Sequence, residues 1–458
     1  MALPVNAGPR LDRLPLSSFH RRIMWLIGAG MFFDGFDIYL AGIVLGATVK
    51  SGFSTLSQNA QFVSLTFVGM MLGSFVTGFL GDRYGRRFTY RVNLAIFGFA
   101  SLAAVLAPSM NVLILLQFII GLGLGAENVV GYSTLTEFVP PQSRGKWLGF
   151  MSVFVVTGLP AAALVGTLLI PRFGWRAMFL LGGLGALVVW YLRKKLPESP
   201  RWLESAGRGD EAEALLQVIE NEVSLQHSPL PEPKISPLAK HSRELSSLLS
   251  PAIFPRMIVG AVTLIVINTL LYGFVTWLPT FFVQQGLSIV RSFRYSLAMA
   301  LGAPIGSTIG AFTADYWGRK PTIVGASLIT ILIGGVYPFI TNPAILLAVG
   351  FSLIVPIYVL VALLFAIYIP ELFPTEVRLR AAGICNTFGR GAIVFMPFVV
   401  VALFRSYGVA GVLVFMIALL IVQIAVVLTL GVEPKKRRLE EIEAEDTAAA
   451  LPAEVRNP

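Results

Sequence analysis

Long apolar runs alternate with short polar loops along almost the whole chain. Twelve of the runs are long enough to cross a bilayer. The first six cover roughly 23–49, 60–80, 89–107, 111–136, 146–170 and 175–195; the second six cover 255–283, 295–314, 322–340, 344–369, 382–404 and 409–432. The pattern predicts an all-α membrane protein of 12 transmembrane helices in two six-helix bundles. The expected divisions are an N-terminal segment 1–22, a bundle 23–196, a central loop 197–252, a second bundle 253–432 and a tail 433–458. Inside the central stretch, Gly209 to Val223 carries Ala212, Leu215, Leu216 and Ile219 at helical spacing, which predicts a short amphipathic helix. Residues 227–237 are Pro-rich and read as linker. The tail from Lys435 alternates basic and acidic blocks, the pattern of a solvated helix.

Composition agrees with lipid as the solvent. The 458 residues are 55% hydrophobic and 13% charged. A soluble domain carries about twice that charge fraction. The net charge of +10 does not indicate nucleic-acid binding, because the basic residues sit in short loops between apolar runs. One side holds Arg10, Arg13, Arg83, Arg86, Arg87, Arg144, Lys146, Arg193 to Lys195, Arg319, Lys320, Arg378 and Arg380. The other holds only Lys50, Arg172, Arg176, Arg291, Arg294 and Arg405. The positive-inside bias predicts a multi-pass protein of the cytoplasmic membrane with both termini cytoplasmic. The first run follows about 22 polar and basic residues and is too long for a signal-peptide core, so it reads as a retained helix. The single cysteine, Cys385, allows no intrachain disulfide. The three histidines, His20, His227 and His241, fall outside the apolar runs, so a proton relay would have to use carboxylates.

Two carboxylates interrupt the first run. Asp34 and Asp37 are three apart, on one helix face. An acid at the bilayer centre costs roughly 3 kcal/mol on insertion scales, and two anions on one face repel. At least one is therefore expected to bind a proton, the two titrating as a coupled pair. A purely structural pairing with a buried cation is the competing reading.

The two halves repeat. Asp82-Arg83-Tyr84-Gly85-Arg86-Arg87 recurs as Asp315-Tyr316-Trp317-Gly318-Arg319-Lys320, 233 positions later. Glu137-Phe138-Val139-Pro140 with Arg144 recurs as Glu371-Leu372-Phe373-Pro374 with Arg378, 234 positions later. Two motifs at nearly one offset imply two bundles related by an axis along the membrane normal. Gly85 is expected to take a left-handed turn. Asp82 should face a helix N-terminus or a basic partner such as Arg144, with Arg86 and Arg87 at the headgroups. Contacts of this kind would latch the cytoplasmic side in one state.

This motif set resembles the major facilitator superfamily over about residues 20–440. Pro197-Glu198-Ser199-Pro200-Arg201-Trp202 is similar to a sugar-porter segment. Glu433-Pro434-Lys435 with Leu439-Glu440-Glu441-Ile442 is similar to the sugar-porter tail without its Pro-Glu-Thr. Asp34-Gly35-Phe36-Asp37 resembles the first-helix signature of aromatic-acid/proton symporters. Gly121 to Glu127 departs from those symporters and looks more like the niacin-transporter and synaptic-vesicle-glycoprotein branch. The resemblance implies an alternating-access secondary transporter, proton-coupled, for a small organic metabolite.

Two further charges lie within apolar runs. Glu127 follows glycines at 121, 123 and 125, which let a neighbouring helix come close. It reads as a proton site, a substrate contact or the partner of a bundle cation. Arg390 is the only basic residue well inside a run. Its guanidinium stays charged, so it needs an anion, either an internal carboxylate or that of a substrate held bidentately. Phe32, Phe33, Phe36, Tyr39, Tyr132, Tyr272, Trp277 and Tyr358 could bracket a flat ligand, and Asn268 stands where Asp34 does in the other half. Among these, Arg390, Phe33, Tyr39, Asn268, Tyr272 and Trp277 are the candidate substrate residues. The leading expectation is proton symport of an aromatic or other carboxylic acid, with the proton as coupling ion, no other cofactor, no metal and a functional monomer. A sugar or polyol carrier is the alternative, and a non-transporting receptor or scaffold the alternative of another class. No nucleophile–base pair or metal cluster points to an enzyme.

Overall fold

The computed structural model describes residues 5–233, 248–251, 253–275, 295, 298–340 and 342–434, with the side chains of a few helical positions, Tyr39 among them, outside the described set. The elements are α1 (Ala7–Asp12), α2 (Ser18–Lys50), α3 (Leu56–Tyr84), α4 (Arg86–Val105), α5 (Met110–Phe138), α6 (Arg144–Phe173) and α7 (Arg176–Leu192). The central stretch forms α8 (Pro200–Ser205) and α9 (Gly209–Ser224). After it come α10 (Phe254–Gly273), α11 (Gly302–Tyr316), α12 (Arg319–Val336), α13 (Pro343–Val361) and α14 (Arg378–Leu430). Among the described residues nine helices are long and apolar enough to cross a membrane. The first six expected spans fall on α2 to α7. The spans expected at 255–283 and 295–314 run into residues outside the described set, as do the acidic tail and Trp277.

Local chemistry sets the boundaries. Thr55 and Gln58 form a reciprocal capping box at the start of α3. Asn342 caps α13, with Pro343 in its first turn. The α3–α4 break falls at Gly85, φ 95°, and the α11–α12 break at Gly318, φ 104°. Both are backbone shapes that a Cβ disfavours, as the repeat implied. α13 carries Pro356 and widens into a π-turn over Ala362–Tyr368 before ending at Glu371. A residue with positive φ, Gly408, breaks α14.

α5 is the inner helix of the first half. It packs on α3, α4 and α2, while α2 also lies along α6. The glycines of α5 act as expected. A side chain at Gly121 would collide with the α3 carbonyl of Thr66, and one at Gly123 with the α4 carbonyl of Asn93. In the second half α10 packs on α14 and α11 on α13. The halves meet along two seams, α3 against α14 and α6 against α11 and the π-turn. The Thr387 hydroxyl donates to the Met71 carbonyl, 3.3 Å away, across the first seam.

Among its described residues the central stretch forms the expected amphipathic helix and packs it. α9 buries Ala212, Leu216, Ile219 and Val223. The N-terminal segment docks on it. Ala7, Leu11 and Leu14 are buried, and Arg10 pairs with Glu213 and with both oxygens of Glu220, at 3.0 and 2.7 Å. The backbone N–H groups of Asn6 and Ala7 both donate to the Glu204 carboxylate at 2.8 Å. α1, α8 and α9 thus form a small cap on the basic end of the first half.

Candidate functional site: a central cavity above a charged latch

A cavity of about 70 Å³ lies between the halves. Gly35 and Ile38 of α2, Asn128 and Tyr132 of α5 and Ser152, Val155 and Val156 of α6 form one wall. Asn268, Leu271 and Tyr272 of α10, Tyr358 of α13, Val361 and Phe365 beside it, and Arg390 of α14 form the other. Of the expected substrate residues, Arg390, Asn268 and Tyr272 are brought together here. Phe33 is not: its ring lies against Gly185 of α7 within the first half, because its position on α2 points away from the seam. Tyr39's side chain and Trp277 lie outside the described residues.

Arg390 is 4% exposed. Its Nη1 contacts the sulfur of Met70 at 3.3 Å, and its Nε has no hydrogen-bond partner among the described residues. No described carboxylate forms an ion pair with it. Asn268 Nδ2 donates to the Leu264 carbonyl of its own helix at 2.7 Å, so it faces the cavity from a fixed position. Tyr272 stacks edge-on against Phe67, centroids 4.8 Å apart.

Asp34 and Asp37 are both 1% exposed, just behind the α2 wall. Each finds a different amide on α5. Asn128 Nδ2 donates to Asp34 Oδ2, and Gln117 Nε2 donates to Asp37 Oδ2 at 3.1 Å. Their Oδ1 atoms have no described partner. Glu127 takes the third of its expected roles. Arg193, at the end of α7, reaches inward and donates to Glu127 Oε1 at 2.5 Å, to Leu26 O at 2.8 Å and to Ile27 O at 2.7 Å. Its guanidinium lies 4.4 Å from the Tyr90 ring centroid. Arg193 had been counted with the loop charges; it is instead a buried internal cation, so Arg390 is not alone inside the bundle.

At the basic end the repeated motifs interlock. Arg86 is fully buried and grips Glu137 through Nε at 3.2 Å and Nη2 at 2.7 Å. Arg319 grips Glu371 in the same way at 2.8 and 2.9 Å. This corrects the placement of Arg86 at the headgroups: a guanidinium beside a buried carboxylate gains more from the pair than from the interface. Arg87 is half-buried and donates to the Lys194 carbonyl at 3.1 Å, and Arg83 stays exposed over Tyr84. Asp82 does face a helix N-terminus, that of α14 in the other half. Its Oδ2 accepts from Arg380 N at 3.0 Å and Nε at 3.1 Å. Asp315 caps α6 likewise, accepting from Gly145 N at 3.1 Å and Lys146 N at 2.7 Å. Arg144 is not the partner of Asp82, because it turns back to Asp12 of α1 at 3.4 Å. Its repeat counterpart Arg378 crosses the seam to Glu137 at 2.8 Å.

A third repeated pair escaped the motif reading. Glu198 accepts from Arg86 N at 2.9 Å and Arg87 N at 3.2 Å, and Glu433 accepts from Arg319 N at 2.9 Å and Lys320 N at 2.8 Å. Each closes the first turn of the helix after the glycine break. Burial comes first and pushes the Glu198 carboxyl above its ordinary range, outweighing the pull of these donors. Glu433 follows Glu198 by 235 positions, so the signal was the same offset. Asn128, Gln117, Asp12, Arg201 and Arg380 had no comparable signal.

Residues 24–445 match the family model described as "Sugar (and other) transporter". The chain is 39% identical over 446 residues to the inner membrane metabolite transport protein YdjE of Escherichia coli (strain K12), covering 95% of this chain and 98% of that protein. It is 32% identical over 443 residues to the niacin transporter NiaP of Acinetobacter baylyi, covering 94% and 98%. Among solved structures, the major facilitator proton:xylose symporter XylE bound to 6-bromo-6-deoxy-D-glucose superposes with a TM-score of 0.76 at 18% identity, covering 93% of this chain and 99% of that one. That likeness is one of fold.

Proposed function

Because the chain belongs to the sugar (and other) transporter family of the major facilitator type, we propose that this metabolite transporter carries a small organic acid, aromatic or nicotinate-like, by proton symport. The observation that carries the reading is Arg390: a buried, permanently charged fork on the cavity wall with no described carboxylate paired to it. A substrate carboxylate held bidentately would give the fork a hydrogen-bonded anion, which Asp34 nearby does not. Tyr132, Tyr272 and Tyr358 offer faces for a ring. The likeness to the niacin transporter supports the same substrate class.

Asp34 and Asp37 are the proposed proton carriers. Each sits behind the wall with a single amide donor and one oxygen left over. Loading one proton with one acid anion leaves the net charge of the site unchanged as the halves rock. Glu127, already paired with Arg193, is the weaker candidate. In this reading the basic end is cytoplasmic, with both termini inside, and a monomer suffices. The latch of Asp82, Asp315, Glu137 and Arg378 closes that side while the cavity loads from the other.

Uptake into proteoliposomes, with and without an imposed pH gradient and beside counterflow, tests the reading. Nicotinate or benzoate should accumulate against its gradient when the inside is alkaline. The Asp34→Asn/Asp37→Asn variant should lose accumulation, while at least one single variant keeps counterflow. Accumulation surviving in the double variant would refute the proton assignment. A second reading, sugar symport, is favoured by the amide and hydroxyl groups of the cavity wall and by the xylose carried by a structural neighbour. Accumulation of xylose or glucose with no acid uptake would select it.

A further inference from the structure

We propose that Asn128 is a two-way amide switch that reports the proton on Asp34 to the cavity. The inference rests on the reading of Asp34 as proton carrier and of the ligand as an acid.

Asp34 does not line the cavity, whereas Asn128 does, and Asn128 is bonded to Asp34. A primary amide has a donor end and an acceptor end. An ionised carboxylate only accepts, so it takes the donor end, as the Nδ2 to Oδ2 contact shows. Asn128 then turns its oxygen outward, and an oxygen toward the cavity repels a carboxylate there. When Asp34 binds a proton on Oδ2, the oxygen that faces Asn128, its O–H becomes a donor there. The bond is satisfied again with Asn128 turned half a revolution about its last torsion, Asp34 O–H donating to Asn128 Oδ1. The two Nδ2 hydrogens now face the cavity that Arg390 also lines. One proton is added to Asp34 and none leaves the amide. The ligand site gains two donors and loses an acceptor for each proton bound.

The other groups around Asp34 do not invert in this way. Asp37 from α2 is held by Gln117 from α5. Glu127, beside Asn128 on α5, is held by Arg193 from the end of α7. Tyr132 on α5 also faces Asp34, and Arg390 from α14 is a permanent cation. α6 meets α2 here through the backbone of Val155 at Gly35. Asn128 is thus the described amide that touches both the proton site and the ligand space.

The test is calorimetric binding of nicotinate or benzoate to purified protein at about pH 6 and about pH 8, where the ligand carboxylate stays ionised. Wild type should bind about tenfold or more tighter at the lower pH. Asp34→Asn, which removes the charge and the titration of residue 34, should bind with the same affinity at both. Asn128→Ala and the near-isosteric Asn128→Leu should bind weakly at both, and Asp34→Asn/Asn128→Ala no better than Asn128→Ala. The two Asn128 variants guard against a folding defect in either. Wild-type pH dependence persisting in an Asn128 variant, or tight binding by the double variant, overturns the switch alone. Wild type binding equally at both pH values, or binding neither acid, overturns the symport reading and the switch with it.

Discussion

Asp82→Asn should loosen the basic end without touching the cavity. Asp82 Oδ2 takes two hydrogen bonds from Arg380 across the seam, and Oδ1 takes a longer one, 3.4 Å, from Arg86. Asn keeps an acceptor but loses the charge. Hydrogen bonds to charged groups contribute about 1.5–3 kcal/mol and neutral ones about 0.5–1.5, so the bond from Arg380 N weakens by about 1 kcal/mol, and the bond from its guanidinium, still charge-assisted, loses about as much with its anion. Both exist only while that end is shut, so the loss falls on the conformational equilibrium. About 2 kcal/mol shifts it roughly 30-fold toward the open form. Thr387→Cys in a Cys385→Ser background places a thiol on the α3–α14 seam, where Thr387 now bonds Met71. Its labelling by a hydrophilic maleimide should speed up severalfold in the Asp82→Asn variant, while ligand affinity stays within about threefold. Transport should fall. Unchanged labelling together with a tenfold or larger loss of affinity would refute the assignment of Asp82 to the latch.

Three further outcomes are expected. Arg390→Lys keeps the charge but loses the fork, so acid uptake should drop about tenfold or more; equal uptake would argue against bidentate recognition. Gly30→Ala puts a Cβ 2.6 Å from Glu127 Oε1 and closer still to Arg193; breaking a buried pair costs about 3–5 kcal/mol, so its Tm should fall well below that of Gly28→Ala, whose Cβ meets the edge of Phe154 at 3.3 Å and the sulfur of Met151 at 3.4 Å. The docking of α1 should be acid-sensitive. Burial raises the Glu220 carboxyl, but the Arg10 and Arg13 hydrogen bonds prevail and hold it below its ordinary value of 4.5, while the Arg10 bond lowers Glu213. The stabilisation is therefore complete above the ordinary glutamate range and lost as pH falls through the lowered folded values. Hydrogen exchange at Leu11 and Leu14 should accelerate in acid, and an Arg10→Gln variant should show fast exchange already at neutral pH.

The parts of this molecule that hydropathy and spacing could reach were legible. Apolar length marked the helices, and the doubled Asp82/Asp315 and Glu137/Glu371 motifs marked the latch, because each is a short run that recurs at nearly one offset, although the contacts it makes are long-range. What failed was direction. Arg193 stands in Arg193-Lys194-Lys195, and its two neighbours serve the loop, but the α7 terminus points only the first of them inward to Glu127. Phe33 and Asp34 are adjacent, yet one helical step of 100° sends the ring to Gly185 and the carboxylate to Asn128. Asp12 belongs to a six-residue helix with no periodic signal, and its partners Arg144 and Arg201 are over a hundred positions away. Arg390 was legible as an isolated charge; that Asp34 lies near it without forming an ion pair was not, since that depends on every helix around it.

The crossed ion pairs also put a schedule on synthesis. Glu137 is buried with Arg86 on one side and Arg378 on the other, and Arg378 lies 241 residues further along the chain. At ribosomal speeds of about 5–20 residues per second, that partner emerges roughly 10–50 s later. During this interval the first six helices are in the bilayer with Arg86 as the carboxylate's only guanidinium, while Asp82 still lacks Arg380. Glu198, by contrast, arrives soon after the helices whose turn it caps. The newborn first half can therefore settle its own hairpins at once. Its exposed seam carries unmet charge until the second half is threaded beside it, and this interval is when an insertase or a membrane protease would meet it.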